Sequence, residues 1–308
     1  MYISKIDLDN IRCFQGPHTL ITSENINILI GNNNSGKSTI LKSIYHLQGY
    51  QFLGSDRTLD TLYSSISLKF KTDSHYNFLG YPNNPYNVDT VHSASVKFIW
   101  HYDISNTKNF HSSIDMFLKD EENDFSSLSV SFNPYENNNK RNLLYLYFSN
   151  RKPVKYNTSV LVSEAEKINT DLSNLFAKID SIVSRDTQIL SMYREACIDI
   201  LGYFIGTVQD DEGKHAAFAV DNDRSIPITS MGDGVPNILG LITDLCLAEN
   251  KVFLIEEIEN DIHPKALKSL LDLIEYKSLS NQFFISTHSN VVLRRLGANE
   301  KHKIFVTV

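Results

Sequence analysis

The amino-acid sequence predicts an α/β fold around a parallel sheet, with a β-subdomain at the N-terminus and an inserted α+β lobe. Two stretches carry the core of that prediction. Residues 26–30 (INILI) form a short apolar run, followed by the glycine-rich loop GNNNSGKST and then by Ile40, Leu41, Ile44 and Leu47 at helical spacing. The last third alternates between a helix over 236–248, a strand over 252–255, a helix over 264–276 and a strand over 282–286. Strands that alternate with helices of this length pair in parallel.

The other elements follow in order. Ile6 and Leu8 alternate with Asp7 and Asp9, the period of a half-buried strand, and Gly16-Pro17 marks a turn. From about residue 51 to 150 the composition shifts to Asn, Ser, Tyr and Phe. Strand-like pieces lie at 66–70, 96–100 and 143–148, with turn-rich stretches at Asn83-Asn84-Pro85 and Asn137-Asn138-Asn139. Residues 163–200 read as helical, with Leu172, Leu175, Phe176 and Ile179 on one face, and 216–220 and 226–229 read as strands. The chain therefore divides into residues 1–50, the first part of the core; 51–200, an inserted lobe, strand-rich and then helical; and 201–308, the second part of the core.

Composition narrows the function. With 308 residues, 42% of them hydrophobic, the chain can bury a sizeable core. A formal net charge of −7 argues against a basic nucleic-acid binder. Lys140-Arg141, Arg151-Lys152 with Lys155, and Arg294-Arg295 are small basic clusters, each read as a solvated face unless they converge, so DNA binding is left open. Cys13, Cys197 and Cys246 are odd in number and far apart, which argues against a disulfide framework or a zinc site. The start MYISKIDLDN has no signal-peptide pattern, and no apolar run reaches the roughly 20 residues that span a bilayer. The expectation is a cytoplasmic protein without membrane contact.

Gly31, Asn32, Asn33, Asn34, Ser35, Gly36, Lys37, Ser38 and Thr39 fit the pattern of a phosphate-binding loop. Gly31 and Gly36 let the backbone turn its N–H groups toward phosphate oxygens, and the following helix adds its positive dipole end. Lys37 can neutralise the β- and γ-phosphates of a nucleotide, and the Ser38 hydroxyl can ligate Mg²⁺. The apolar run 252–255 ends in Glu256-Glu257, two carboxylates at the C-terminal end of a buried strand, where α/β folds place acids beside a ligand. The first would hold Mg²⁺ and the second would polarise an attacking water. The competing reading is a solvated acidic turn, since Glu259 and Asp261 follow; the complete loop upstream outweighs it. The run 283–289 (FFISTHS) repeats the design and places His288 at the end of a third strand.

Together these pieces resemble the ATP-binding-cassette ATPases, in particular the soluble branch of structural-maintenance, RecF-like and overcoming-lysogenization-defect-type ATPases. The similarity extends to Ile11-Arg12-Cys13-Phe14 before the loop, to Ser230-Met231-Gly232-Asp233-Gly234 as a variant cassette signature, to FLIEEIENDIHP and to STHS. It covers about 1–50 and 215–290 well and the middle poorly. The resemblance implies an ABC-type ATPase head with ATP and Mg²⁺ as cofactors, Glu256 as the Walker B acid, Glu257 as catalytic base and His288 as γ-phosphate sensor. Asn150-Arg151 falls where the family has its Q-loop, without the glutamine; Gln48, the other candidate, reads as a surface residue. Asp is usual where this chain has Glu256, so the carboxylate sits one methylene further out, which predicts slow turnover.

In the family the signature loop serves the nucleotide of a second subunit. The resemblance thus implies a homodimer or larger oligomer, with Ser230, Gly232, Asp233 and Gly234 on the partner's ATP. The loop would stand at the N-terminus of the helix over 236–248, whose Ile238, Leu239, Ile242, Leu245 and Cys246 face inward. The leading functional expectation is an ATP-driven switch that acts through a separate effector, such as a nuclease or toxin, in antiphage defence. The chain ends soon after His288, without room for a following nuclease domain. A nucleotide-bound scaffold with little hydrolysis and a DNA-maintenance ATPase are the alternatives; Met231 and Asp233 in the signature disfavour a transporter subunit.

Overall fold

A computed structural model describes residues 1–48, 50–58, 61–71, 91–102, 108–118, 142–149, 155–158, 160–169, 171–185, 187–211, 213–220, 224–232, 234–260 and 262–307, with 91–94, 101–102, 108–118 and 210 as backbone only. The chain opens with the hairpin β1 (Tyr2–Ile11) and β2 (Phe14–Ile21), then β3 (Ile26–Gly31) and α1 (Lys37–Tyr45). Next come β4 (Tyr63–Lys71), β5 (Val91–Tyr102), β6 (Lys108–Leu118) and β7 (Leu144–Tyr147). A helical stretch follows, α2 (Val162–Ala165), α3 (Leu175–Val183) and α4 (Gln188–Leu201), then the small strands β8 (Gly206–Asp210), β9 (Gly213–Ala219) and β10 (Ser225–Pro227). The chain closes with α5 (Gly234–Leu247), β11 (Val252–Glu256), α6 (Pro264–Lys277), β12 (Gln282–Ser286), α7 (Asn290–Leu296) and β13 (Lys303–Thr307).

The central sheet has the order β13-β3-β12-β11-β7, with every neighbouring pair parallel. Both of its faces are covered, which is why its inner strands read as unbroken apolar runs. Ile26, Ile28, Phe253, Ile255, Phe283 and Ile285 point into one core, shared with α3 to α7. Leu29, Val252, Leu254 and Phe284 point into the other, shared with α1 and the antiparallel sheet β2-β1-β4-β5-β6. Helix α1 is thus held between two sheets by Ile40, Leu41 and Ile44, all fully buried. The Gln282 side chain staples the sheets together, accepting from the Ile3 N–H at 2.8 Å and donating to the Ile3 and Ser23 carbonyls at 2.7 Å.

Three local expectations need correction. Gly16 and Pro17 lie inside β2, and the turn falls at Arg12-Cys13. The chain reverses there because Asn10 and Arg12 adopt left-handed φ of 56° and 51°, and the Asn10 side chain accepts from the Gly16 N–H at 2.9 Å. Pro17 is tolerated because β2 is an edge strand. The helical stretch 163–200 is broken twice: the Asn174 side chain donates to the Glu164 and Lys167 carbonyls between α2 and α3, and Thr187 caps the start of α4. The strand expected over 226–229 stops at Pro227 and continues as a 3-10 turn, Ile228–Ser230. The turn-rich stretches at 83–85 and 137–139 lie outside the described residues.

The helical layer carries a buried ion pair. Lys178 Nζ of α3 donates to Asp244 Oδ1 of α5 at 2.6 Å, with the two side chains 5% and 3% exposed, and Tyr147 OH of β7 donates to Asp244 Oδ2 at 2.5 Å. Removing one member strands the other charge, a loss of about 3–5 kcal/mol. Asp244→Ala is therefore expected to lower the unfolding free energy by about that amount in urea titration; a loss below about 1 kcal/mol would show that Lys178 finds water instead. The cysteines are free thiols, and burial pushes Cys197 up to about 11 and Cys246 to about 12, which leaves both inert.

Candidate nucleotide site

Glu256 pairs with Ser286 and Ser286 with Leu29, so the C-terminal ends of β3, β12 and β11 lie side by side. This edge is where open parallel sheets bind ligands. The glycine-rich loop leaves β3 at Gly31 with φ 152°, and a Cβ there would lie 2.2 Å from the Thr307 carbonyl oxygen. Gly36, at φ 104°, would press a Cβ to 2.8 Å from Cys13 Sγ and the Phe14 ring. Both glycines are thus required by backbone angle and by lack of space. The turn of the first hairpin backs the end of the loop, and β13 backs its beginning. Thr307 Oγ1 donates to the Ile30 carbonyl at 3.0 Å and meets Ser35 Oγ at 2.6 Å.

Lys37 opens α1 and is buried, its Nζ donating to the Gly31 carbonyl at 2.9 Å and the Asn32 carbonyl at 2.8 Å. Its ammonium is fixed across the loop, with one of its three donors left over. Asn32, Asn33 and Asn34 are exposed, Asn34 in the left-handed region at φ 65°; Thr39 is buried beneath the helix start.

Ser38 Oγ donates to Glu256 Oε1, and Ser149 Oγ, just beyond β7, donates to Glu256 Oε2 at 3.2 Å. One carboxylate and two hydroxyls thus converge beside the loop. Hard oxygen donors of this kind suit Mg²⁺, which takes one or two carboxylates and completes its shell with phosphates and water. Glu257 follows with a left-handed φ of 51°, a conformation that costs energy in a non-glycine residue and clusters at functional sites. Its N–H donates to the Ser286 carbonyl at 3.0 Å, and Asn260 Nδ2 donates to its Oε2 at 2.7 Å. His288 is exposed beyond β12; its backbone N–H donates to Glu259 Oε1 at 2.7 Å, and Thr287 Oγ1 donates to Glu259 Oε2 at 2.8 Å.

Lys37, Ser38, Glu256, Glu257 and His288 therefore share one edge of the sheet. The signature candidates stand elsewhere: Ser230 ends the 3-10 turn, Gly232 follows, and Gly234 starts α5. Among the described residues no hydrogen bond joins them to the loop or to the two glutamates. Asp233, Asn150, Arg151, Lys140, Arg141 and Lys152 lie outside the described residues. Arg295 is paired with Asp272 at 2.5 Å. Gln48 is not a surface residue: it is buried, and its Oε1 accepts from the Leu143 and Leu144 N–H groups at 2.6 Å, which ties α1 to the start of β7. Ser149, Glu259, Asn260 and Thr307 are the contacts that sequence reasoning misses. Only Glu259 carried a signal, and there it read as part of a solvated turn.

A two-faced parallel sheet with a glycine-rich loop at one strand end and paired acids at another is the ABC-type fold of an SMC head. The solved structures agree in fold. An SmcHead bound to the C-winged helix domain of ScpA matches with TM-score 0.63 at 13% identity, covering 96% of this chain and 92% of that one. The SMC head domain from Thermotoga maritima matches with TM-score 0.51 at 14% identity, over 96% and 92% of the two chains. An Smc head domain with an extended coiled coil, bound to the C-terminal domain of ScpA derived from Pyrococcus furiosus, matches with TM-score 0.61 at 12% identity, over 96% and 91%. The chain belongs to the family described as "AAA domain, putative AbiEii toxin, Type IV TA system", whose model matches residues 26–294. A comparison with curated proteins gives no match.

Proposed function

We propose that the chain is an ATP-hydrolysing switch that closes as an ATP-sandwich dimer and controls a separate effector, a nuclease or toxin, in antiphage defence. The observation that carries the reading is the shared strand edge of Lys37, Ser38, Glu256, Glu257 and His288. In this reading Gly31, Asn32, Asn33, Asn34, Ser35, Gly36 and Thr39 shape the phosphate cradle, and Lys37 binds the β- and γ-phosphates. Ser38 and Glu256 hold Mg²⁺, which would offset phosphate charge. Glu257 takes a proton from the attacking water, and His288 contacts the γ-phosphate. Ser230, Gly232, Asp233 and Gly234 meet the nucleotide of a second copy, beside the positive dipole end of α5. The reading assigns a cytoplasmic site of action without a membrane partner; among the described residues no helix is long and apolar enough to cross a membrane. The bound ScpA domains of the SMC heads are the precedent for a protein partner.

Light scattering with and without ATP and Mg²⁺ tests the dimer. The expected result is a doubling of mass with ATP and a specific activity that rises with protein concentration; a monomer at all concentrations with constant specific activity overturns the sandwich.

The scaffold reading has its own discriminating residue. Glu256 reaches both Ser38 and Ser149, a span that an aspartate, shorter by one methylene, does not cover. A site shaped around the longer acid is expected to lose turnover in Glu256→Asp, by about tenfold or more for a displaced ligand. Steady-state ATPase assays across a Mg²⁺ titration check this. A variant faster than the parent would instead mark Glu256 as the cause of slow turnover and favour the scaffold.

A further inference from the structure

We propose that Glu259 is the positioning residue for His288, so that the segment after β11 and the segment after β12 act as one body. The inference rests on the ATPase reading above and deepens it.

Glu259 uses both carboxylate oxygens on adjacent residues of one loop: Oε1 accepts from the His288 backbone N–H at 2.7 Å, and Oε2 from the Thr287 hydroxyl at 2.8 Å. Bonds to an ionised acceptor are the strong kind, and a two-point grip fixes distance and orientation together. Thr287 is fully buried, and its Oγ1 also accepts from the Ser289 N–H at 2.9 Å, so the grip extends to the residue that caps α7. An acid in a solvated turn has no reason to turn both oxygens inward. The His288 ring carries no hydrogen bond among the described residues; only its backbone is fixed. That arrangement suits a side chain held ready for a ligand.

The same short segment holds Glu257 from the other side. The Glu257 N–H donates to the Ser286 carbonyl at 3.0 Å and lies 3.2 Å from Ser286 Oγ, while the Asn260 amide donates to Glu257 Oε2 at 2.7 Å. Base and histidine are therefore referenced to one piece of backbone, Glu257–Asn260. A carboxylate is needed because position 259 must accept twice; a glutamine offers one acceptor atom and one nitrogen that can only donate.

The test compares Glu259→Ala, Glu259→Gln, His288→Ala and the double variant Glu259→Ala/His288→Ala, in ATP turnover, ATP affinity and amide hydrogen exchange at His288. Glu259→Ala is expected to lower kcat on the order of 100-fold, the scale of a misplacement of about 1 Å, with ATP affinity within about twofold. Glu259→Gln falls in between and guards against a folding defect in the alanine variant. The double variant should be no slower than His288→Ala, because residues that act through one another are not additive. Exchange at the His288 amide should accelerate in Glu259→Ala while β12 stays protected. Wild-type exchange at His288 in Glu259→Ala, or losses that simply add, overturn the proposal. Unchanged turnover in His288→Ala would count against the ATPase role of the histidine instead, and the exchange measurement still decides whether Glu259 holds the loop.

Discussion

Lys37→Ala is expected to lose ATP binding. The ammonium lies within the cradle, tied to the Gly31 and Asn32 carbonyls, and no other cation is hydrogen-bonded to the loop among the described residues. Charge-assisted bonds contribute about 1.5–3 kcal/mol each. Loss of the one bond that the ammonium's remaining donor can make to a phosphate oxygen is about 1.5–3 kcal/mol, or roughly 10-fold to 100-fold in affinity. The truncation also frees the two carbonyls that the ammonium now holds, so loop order falls along with charge. Isothermal calorimetry reads the affinity, and circular dichroism melting controls for folding. ATP affinity equal to the parent in a folded variant would remove Lys37 from the site. Lys37→Met, which keeps much of the length without the charge, should lose nearly as much if charge is the cause.

Residue patterns reveal the parallel core because its inner strands are buried on both faces. Phe253, Leu254 and Ile255 face alternate cores, and so do Phe283, Phe284 and Ile285, which leaves no polar break in either run. β13 is an edge strand with alternately half-buried and exposed residues, and β8 (GTVQD) is short and polar; neither has a signal of that kind. The site divides in the same way. Lys37 and Ser38 are found by spacing, since local backbone geometry dictates their motif. Ser149 meets Glu256 across 107 residues, and Thr307 meets Ser35 across 272, contacts that only strand order creates. Gln48 was hidden for a related reason. Its amide saturates the start of β7, a strand far away in sequence, so a polar residue at the end of a helix looks solvated until its sheet partner is in place.

Glu257→Gln is expected to retain ATP and stop hydrolysing it. The argument depends on geometry as much as on acidity. Glu257 sits at φ 51° and receives the Asn260 amide on Oε2 at 2.7 Å. A glutamine has the same length and can present its carbonyl oxygen to that amide, so the strained turn and the grip on Ser286 persist. What is lost is the ability to accept a proton from water, since a neutral amide is not a base at working pH. General-base catalysis contributes about 100-fold to 10,000-fold, and kcat should fall by that factor while ATP affinity stays within about twofold. Blocking hydrolysis leaves the closed state without its exit, so with ATP and Mg²⁺ the variant should stay a dimer in light scattering after the parent has consumed its ATP and returned to monomer. Glu257→Ala separates the two contributions: it removes the base and also leaves the Asn260 amide unpartnered, so it should lose turnover and loosen the segment that carries Glu259. Parent-like single-turnover hydrolysis in Glu257→Gln would show that the proton goes elsewhere. Glu256 would then be the first residue to examine, because its carboxylate lies one position earlier on the same strand end and already touches the Ser38 hydroxyl.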